Sequence, residues 1–288
     1  MNVPSLPPLN IPALLRKYDL HPSKGLGQNF LENTISLQEI VSAAGLRPGD
    51  TVLEIGPGLG SLTRYLSLAA LHVTSVELDR KLFPALEGNL GAYKNIRLVQ
   101  GDILKLDPSE LMKTPGYIVV ANIPYYITSM VIRHLLEATL RPARVVLTVQ
   151  KEVAERICAE TGKMNLLALS VQVYGKPLIT AVIQAECFYP APKVDSAVLR
   201  IEVLPQPVIP VDMLENFFKL IKAGFSQKRK TLRNALSGGL RIAPVEAEEL
   251  LMSAGIDPRR RAETLDLQEW GTVVEEYSAK FKGRALDA

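Results

Sequence analysis

Short apolar, β-branched runs recur along the first two hundred residues: TVLEI (51–55), HVTSVE (72–77), IRLVQ (96–100), YIVVA (117–121) and RVVLTVQ (144–150). They show little polar alternation, the pattern of strands covered on both faces. Stretches of helical length, such as SLTRYLSLAA and TSMVIRHLLEATL, lie between them. This alternation predicts a doubly wound, Rossmann-like α/β sheet, mostly parallel. After residue 163 the pattern changes. PLITAVIQ (177–184) and SAVLRIEV (196–203) flank the Pro-rich AECFYPAPKVD and predict a closing antiparallel pair, seven strands in all. The segment LPQPVIPVD carries three prolines in six residues and reads as a linker or boundary. Beyond it ENFFKLIKAGF, KRKTLRNAL, PVEAEELLMSAG and DLQEWGTVVEEYSAKF are helical in period, predicting a small all-α C-terminal domain. The expected division is an N-terminal extension (1–23), a sheet domain (24–203) and a helical domain (204–288).

Composition adds limits. With 288 residues, 47% hydrophobic and 22% charged, the chain can bury one full core and a smaller second one. No apolar run approaches the roughly 18 to 20 residues of a membrane span, and MNVPSLPPLNIPALL lacks the basic start and cleavage site of a leader. A cytoplasmic protein is expected. Two cysteines give no disulfide framework, and His21, His72 and His134 have no metal-ligand spacing, so no metal is expected. The net charge of +3 names no partner, but its distribution is uneven. From Asn216 to Arg241 there are seven Lys or Arg and no Asp or Glu, including Lys228, Arg229, Lys230 and Arg233. Arg259, Arg260 and Arg261 form a second cluster. A solvated face normally mixes signs, so a single-sign stretch points to a polyanion, the alternative being a merely basic surface.

Candidate chemistry begins where the first strand ends, in EIGPGLGS (54–61). Gly56, Gly58 and Gly60 permit a tight strand-to-helix turn that brings backbone close to a ligand. The third glycine of a dinucleotide fingerprint is replaced by Ser61, and no basic residue stands ready for a pyrophosphate. Glu77, closing the second strand, can accept both hydroxyls of a ribose. Asp102, closing the third strand beside Ile103, can accept from an adenine amino group. Each piece also has a plainer reading: EIGPGLG as a generic Rossmann-like turn, NIPYY (122–126) as a strand-closing turn, FYPAPKV as a stiff polyproline connection. Cys187 could be a nucleophile, but nothing basic adjoins it, which favours an inert thiol.

Together the glycine turn, Glu77 and Asp102 resemble the class I S-adenosylmethionine-dependent methyltransferase fold. Asn122-Ile123-Pro124-Tyr125 resembles the (Asn/Asp)-Pro-Pro-(Tyr/Phe) motif of enzymes that methylate exocyclic amines. That resemblance implies that the Asn122 oxygen and the Ile123 carbonyl accept hydrogen bonds from the amine, that Pro124 fixes the turn, and that Tyr125 stacks on the base. LGQNFL (26–31), FYPAPKVDSAV (188–198), FSQKRKTLRNAL and RRRAETLDLQEW are similar to stretches of one family. These are the ribosomal RNA adenine dimethyltransferases, in their bacterial kasugamycin-sensitivity branch, which modify two adjacent adenosines near the 3′ end of small-subunit (16S) RNA.

The similarity runs from about residue 20 to 275. It implies S-adenosyl-L-methionine contacts at Gln28, Asn29, Leu31, Glu54, Gly56, Gly58, Gly60, Glu77, Asp102, Ile103 and Asn122. Phe188 would face Tyr125 across the target adenine, and Lys228, Arg229, Lys230 and Arg233 would bind RNA. The implied partner is the immature 30S subunit, met by a monomer; Tyr126 receives no role. Two other readings stay open. One is a ribosome-assembly binding factor with secondary catalysis. The other is a large-subunit RNA adenine methylase of the macrolide-resistance type, which shares NIPY but differs in the C-terminal stretches.

Overall fold

A computed structural model describes residues 6–281. By contacts the chain divides into two compact units, Met1–Glu155 with Lys176–Val203, and Arg156–Gly175 with Leu204–Ala288.

The first unit is built on one seven-stranded sheet. Its strands are β1 (Thr51–Ile55), β2 (His72–Glu77), β3 (Ile96–Gln100), β4 (Ile118–Asn122), β5 (Arg144–Gln150), β6 (Gly175–Ile183) and β7 (Ser196–Val203), in the order β3-β2-β1-β4-β5-β7-β6. The first five are parallel, and β7 runs antiparallel to β5 with Gln150 opposite Ser196. Five of the seven spans match the sequence pattern residue for residue. β4 lies one residue later than its apolar run, because Asn122 still pairs with Thr148 in the ladder.

Burial explains the missing polar alternation. Val52, Leu53, Val119, Val120, Val146 and Leu147 are wholly buried, each such side chain contributing roughly 1.5 to 3 kcal/mol. On one face the helices Thr34–Ala44 and Ser61–Ala69 set Ile40, Tyr65 and Leu66 against Val52, Val120 and Val146. The first of these helices starts where the Asn33 side chain accepts the Ser36 N–H and stops at Gly45, in the left-handed conformation. Near the N-terminus, the helix Ile11–Lys17 inserts Ile11 and Leu15 into a cluster with Leu59, Leu82 and Leu86. Phe30–Leu31 pairs with Phe188–Tyr189 in a separate two-residue ladder.

The second unit is helical. Leu214–Gly224, Leu232–Leu240, Pro244–Ser253 and Leu267–Lys280 pack in sequence around wholly buried Phe217, Leu236, Leu251 and Trp270. The second helical stretch of the sequence pattern is shorter than its period suggests. Lys228–Lys230 lie in a turn, and the helix begins only after Thr231, whose extended backbone holds the N-cap position. The Pro-rich segment is strapped down: the Leu204 N–H donates to the Tyr174 carbonyl and the Val208 N–H to the Val173 carbonyl, both at 2.8 Å, and Ile209 is buried. Among the described residues no helix is long and apolar enough to cross a membrane.

The crossing of two helices in this unit depends on one missing methyl. A Cβ on Gly239 would lie 2.6 Å from both Cα and Cβ of Ala223. Gly→Ala in an exposed helix usually stabilises by up to about 1 kcal/mol. Here Gly239→Ala is expected to destabilise by about 1 to 3 kcal/mol, read as a lower urea midpoint of the full chain. A raised midpoint would show that the helices part at no cost.

Candidate active site

At the carboxyl ends of β1, β2 and β4 the sheet opens into a cleft of about 1080 Å³, solvent included. The register sets this opening. Ile55 stands level with Val76 on one side and Ala121 on the other, so the residues that follow all emerge at one edge. Gln28, Asn29, Leu31, Gly56, Gly58, Glu77, Asp102, Ile103, Asn122, Ile123, Pro124, Tyr125 and Phe188 all line the cleft. Two of the sequence candidates do not. Gly60, with φ +89°, sits at the N-cap of Ser61–Ala69 with Leu90 against it, and Glu54 lies inside β1 beneath the floor.

The glycine turn is a close approach of backbone to side chain. Gly58 has φ +61°, and a Cβ there would lie 3.0 Å from the Phe30 ring. The turn is also held by the acid that faces it: Glu77 Oε2 accepts the Gly58 N–H at 3.1 Å, and Oε1 accepts the Asp79 N–H at 2.8 Å. Burial raises the Glu77 pKa above the ordinary carboxylate value, against the lowering effect of those backbone donors. Asp102 Oδ1 accepts the Leu104 N–H at 3.1 Å and keeps a partly exposed carboxylate at the end of β3. Glu54 is wholly buried, with Ser75 Oγ donating to Oε2 at 2.6 Å. Burial pushes its pKa up to about 7; the Ser75 and Thr63 hydroxyls lower it and Glu77 raises it slightly.

Asn122 is oriented from outside its own strand. Its Nδ2 donates to the Asn29 carbonyl at 3.3 Å, which leaves Oδ1 as an acceptor. The loop carrying Asn29 is tied in turn: Gln28 Nε2 donates to Asp79 Oδ2 at 2.9 Å, and its Oε1 accepts the Ser23 N–H at 2.8 Å. Gly27 completes the contact, since a Cβ there would fall 3.1 Å from Pro124 Cβ and 3.4 Å from the Tyr126 ring. Tyr126, 59% exposed at the cleft mouth, therefore rests against this loop. Tyr125 is half-buried and shares a 2.7 Å hydrogen bond with Ser196 Oγ. Cys187 packs against the core cluster that holds Phe188.

Sequence reasoning assigned nothing to Gly27, Asp79, Asp195 or Ser196, although Asp195 and Ser196 lie within the quoted FYPAPKVDSAV. Those roles depend on partners elsewhere in the chain: Asp79 lies 51 residues from Gln28, Ser196 lies 71 from Tyr125, and Asp195 meets the Ala185 N–H 10 residues back.

The lining is chemically selective. Among the described residues it includes the acids Glu77 and Asp102 and no Lys, Arg or His. Such a wall suits a cationic or neutral nucleoside and disfavours a phosphate-bearing one.

In the helical unit, Lys228, Arg229 and Lys230 are exposed, with no acid within ion-pair distance among the described residues. Arg233 instead pairs with Glu248 at 2.9 Å. The second arginine cluster is compensated: Arg259 pairs with Asp257, Arg260 with Glu269 and Arg261 with Glu263. Two of these three acids, Asp257 and Glu263, are its neighbours in sequence.

The family description "Ribosomal RNA adenine dimethylase" matches residues 21–279. Ribosomal RNA small subunit methyltransferase A of Dehalococcoides mccartyi is 50% identical over 267 residues, covering 92% of this chain and 91% of that one. The protein of the same name from Moorella thermoacetica is 44% identical over 272 residues, covering 91% and 94%. Among solved structures, a dimethyladenosine transferase from Plasmodium falciparum superposes with a TM-score of 0.74 at 26% identity, covering 87% and 98%. The 23S rRNA methyltransferase ErmE does so with a TM-score of 0.70 at 29% identity, covering 86% and 99%.

The buried acid gives a pH signature. Since the folded pKa of Glu54 stands near 7 against an ordinary 4.5, the folded chain keeps a proton there that the unfolded chain has released. Stability from this group is present below the unfolded pKa and falls by about 3 kcal/mol as pH rises from about 4.5 to 7. Glu77 adds a loss of the same sign. Glu54→Gln is expected to remove the Glu54 share, matching wild type at pH 5 and exceeding it at pH 8 in urea unfolding. Parallel pH profiles would mean that Glu54 does not titrate in that window.

Proposed function

The chain belongs to the ribosomal RNA adenine dimethylase family, and on that premise we propose that its cleft dimethylates the N6 amines of two adjacent adenosines near the 3′ end of 16S RNA. The proposed particle is the immature 30S subunit, met in the cytoplasm by a monomer. The enzyme is an rRNA adenine methyltransferase whose methyl donor is of the S-adenosylmethionine type. The observation that carries the finer reading is the convergence of Glu77, Asp102 and Asn122 on one cleft without a basic side chain.

The donor is S-adenosyl-L-methionine, and bound it supplies an electrophilic methyl group on a sulfonium. Glu77 would hold the ribose hydroxyls, Asp102 the adenine amine of the donor, and Gly56 and Gly58 would let backbone approach it. Ile103 and Leu31 supply apolar walls, while Gln28 and Asn29 close the loop over the site. Gly60 and Glu54 act one layer back, starting the helix and supporting the turn.

An adenine amine is a poor nucleophile because its lone pair is delocalised into the ring. The work left to the protein is to hold that nitrogen and favour a more tetrahedral geometry. Asn122 Oδ1 and the Ile123 carbonyl accept its two N–H groups, and Pro124 keeps those acceptors side by side. The Asn29 carbonyl matters here because it occupies the Asn122 Nδ2 and so presents the oxygen to the amine. Tyr125 and Phe188 stack on the extruded base, each such contact being worth roughly 1 to 3 kcal/mol. Lys228, Arg229 and Lys230 hold RNA phosphates without reading sequence, while Arg233 makes its contribution through the helix it braces against Glu248.

Labelled methyl donor offered in parallel to immature small subunits, mature small subunits and large subunits tests the substrate. Label is expected in the immature small-subunit RNA as dimethyladenosine, and label confined to large-subunit RNA would replace the reading with the macrolide-resistance type. In the same assay Asn122→Ala should lower turnover by roughly 100-fold or more while RNA affinity changes little. Equal loss in both would make Asn122 a structural residue. Charge reversal of Lys228, Arg229 and Lys230 should weaken RNA binding and reduce the log–log salt slope by about 2. An unchanged slope would take this turn off the RNA face.

A further inference from the structure

The two rings assigned to the adenine come from separate parts of the chain, yet both are anchored on one dipeptide. Tyr125 opens the short turn after β4, and its phenol shares the 2.7 Å hydrogen bond with Ser196 Oγ. Ser196 is wholly buried and is the first residue of β7. Its neighbour Asp195 accepts the Ala185 N–H on Oδ1 at 3.1 Å. Ala185 begins the turn Ala185–Cys187 that delivers Phe188. The dipeptide is itself fixed to the sheet: the Asp195 carbonyl accepts the Lys151 N–H at 3.1 Å, and Ser196 stands opposite Gln150 in the β5–β7 ladder.

We infer that Ser196 and Asp195 are positioning residues that set the placement of Tyr125 relative to Phe188, and so the gap into which the target base stacks. This rests on the reading of those two rings as the faces that hold the adenine. The physical reason is leverage. A tyrosine ring fixed only at its Cα can swing about its first side-chain torsion, whereas one also held at its far oxygen has the direction of its long axis fixed, and with it the position of the ring. Phe188 has no polar atom to tether, so its position is set through its backbone, by the ladder with Leu31 and by the turn before it, which Asp195 holds. Both tethers end on adjacent residues, the first of β7 and the one before it, so the two rings share a common reference. The gap must also accept a base that grows by one methyl between the two transfers. A loosened gap would let the monomethylated base escape before the second transfer.

The test is a double-mutant cycle on the full chain with immature small subunits. Tyr125→Phe keeps the ring and removes the tether from the half-buried side; Ser196→Ala removes it from the sheet side. Each is expected to lower kcat by roughly tenfold, to leave RNA affinity unchanged, and to raise the share of N6-monomethyladenosine in the product. The double variant should match the single ones, because all three break the same bond. Multiplying effects, or a wild-type product ratio in Tyr125→Phe, would overturn the proposal. If Ser196→Ala fails to fold by circular dichroism, the rate and product ratio of Tyr125→Phe decide the matter alone.

Asp195→Ala should lower kcat, and Asp195→Asn, which retains the Oδ1 acceptor, should recover at least half of it; equal losses would remove Asp195 from the inference. Tyr125→Leu separates the two layers of argument. Full activity in that variant would refute the stacking role itself, whereas loss there with an unaffected Tyr125→Phe would refute only the tether.

Discussion

Parallel pairing at the centre of the sheet fixes a single register, and that register brings the site together. Ile55, Val76 and Ala121 stand side by side on adjacent strands, so the turns that follow them leave at one level. The ladder continues one step past the strands: the Gly56 N–H donates to the Val76 carbonyl and the Gly101 N–H to the Glu77 carbonyl, both at 2.9 Å. A slip of one residue would turn every side chain to the opposite face and scatter Glu77, Asp102 and Asn122. The wholly buried valines and leucines of β1, β4 and β5 make such a slip costly, since both faces of these strands are covered.

On this edge the protein lays a second layer, which supplies orientation. The loop before Phe30 is tied through Gln28 to Asp79 and reaches Asn122 through the Asn29 carbonyl. Strand β7 and its approach reach Tyr125 and the turn before Phe188 from the other side. A reacting amine needs acceptors and rings held to a fraction of an ångström, and residues at strand ends alone do not give that. The glycines serve the same purpose in the negative, for at Gly27 and Gly58 a side chain would occupy the space that Pro124, Tyr126 and Phe30 use.

Charge in the helical unit shows how folding edits a sequence pattern. In one dimension the two basic clusters differ in that Asp257 and Glu263 flank only the arginines at 259–261. In three, the arginines at 259–261 each meet an acid, and Arg260 shares Glu269 with the capping box that starts the last helix. Of the two clusters, the turn at 228–230 keeps its positive charge uncompensated by an ion pair among the described residues. Partially paired charges at a surface attract a polyanion less, so the electrostatic footprint is narrower than the composition of the segment suggests.

The sequence by itself determined the sheet, because β-branched runs without polar alternation have one stable use, and five of seven strand spans could be read to the residue. It also placed the candidate groups at the strand ends, since a glycine turn, two acids and Asn-Ile-Pro-Tyr are local patterns that each follow a strand-forming run. Asn122 itself fell outside its apolar run, as backbone pairing with Thr148 and not hydrophobicity ends β4. The tertiary structure alone decided what depends on contacts between distant residues. It placed Tyr126 against Gly27, gave Ser196 to Tyr125 and moved Glu54 and Gly60 out of the lining. Such contacts are set by packing and register across the fold, and no window of sequence contains both partners.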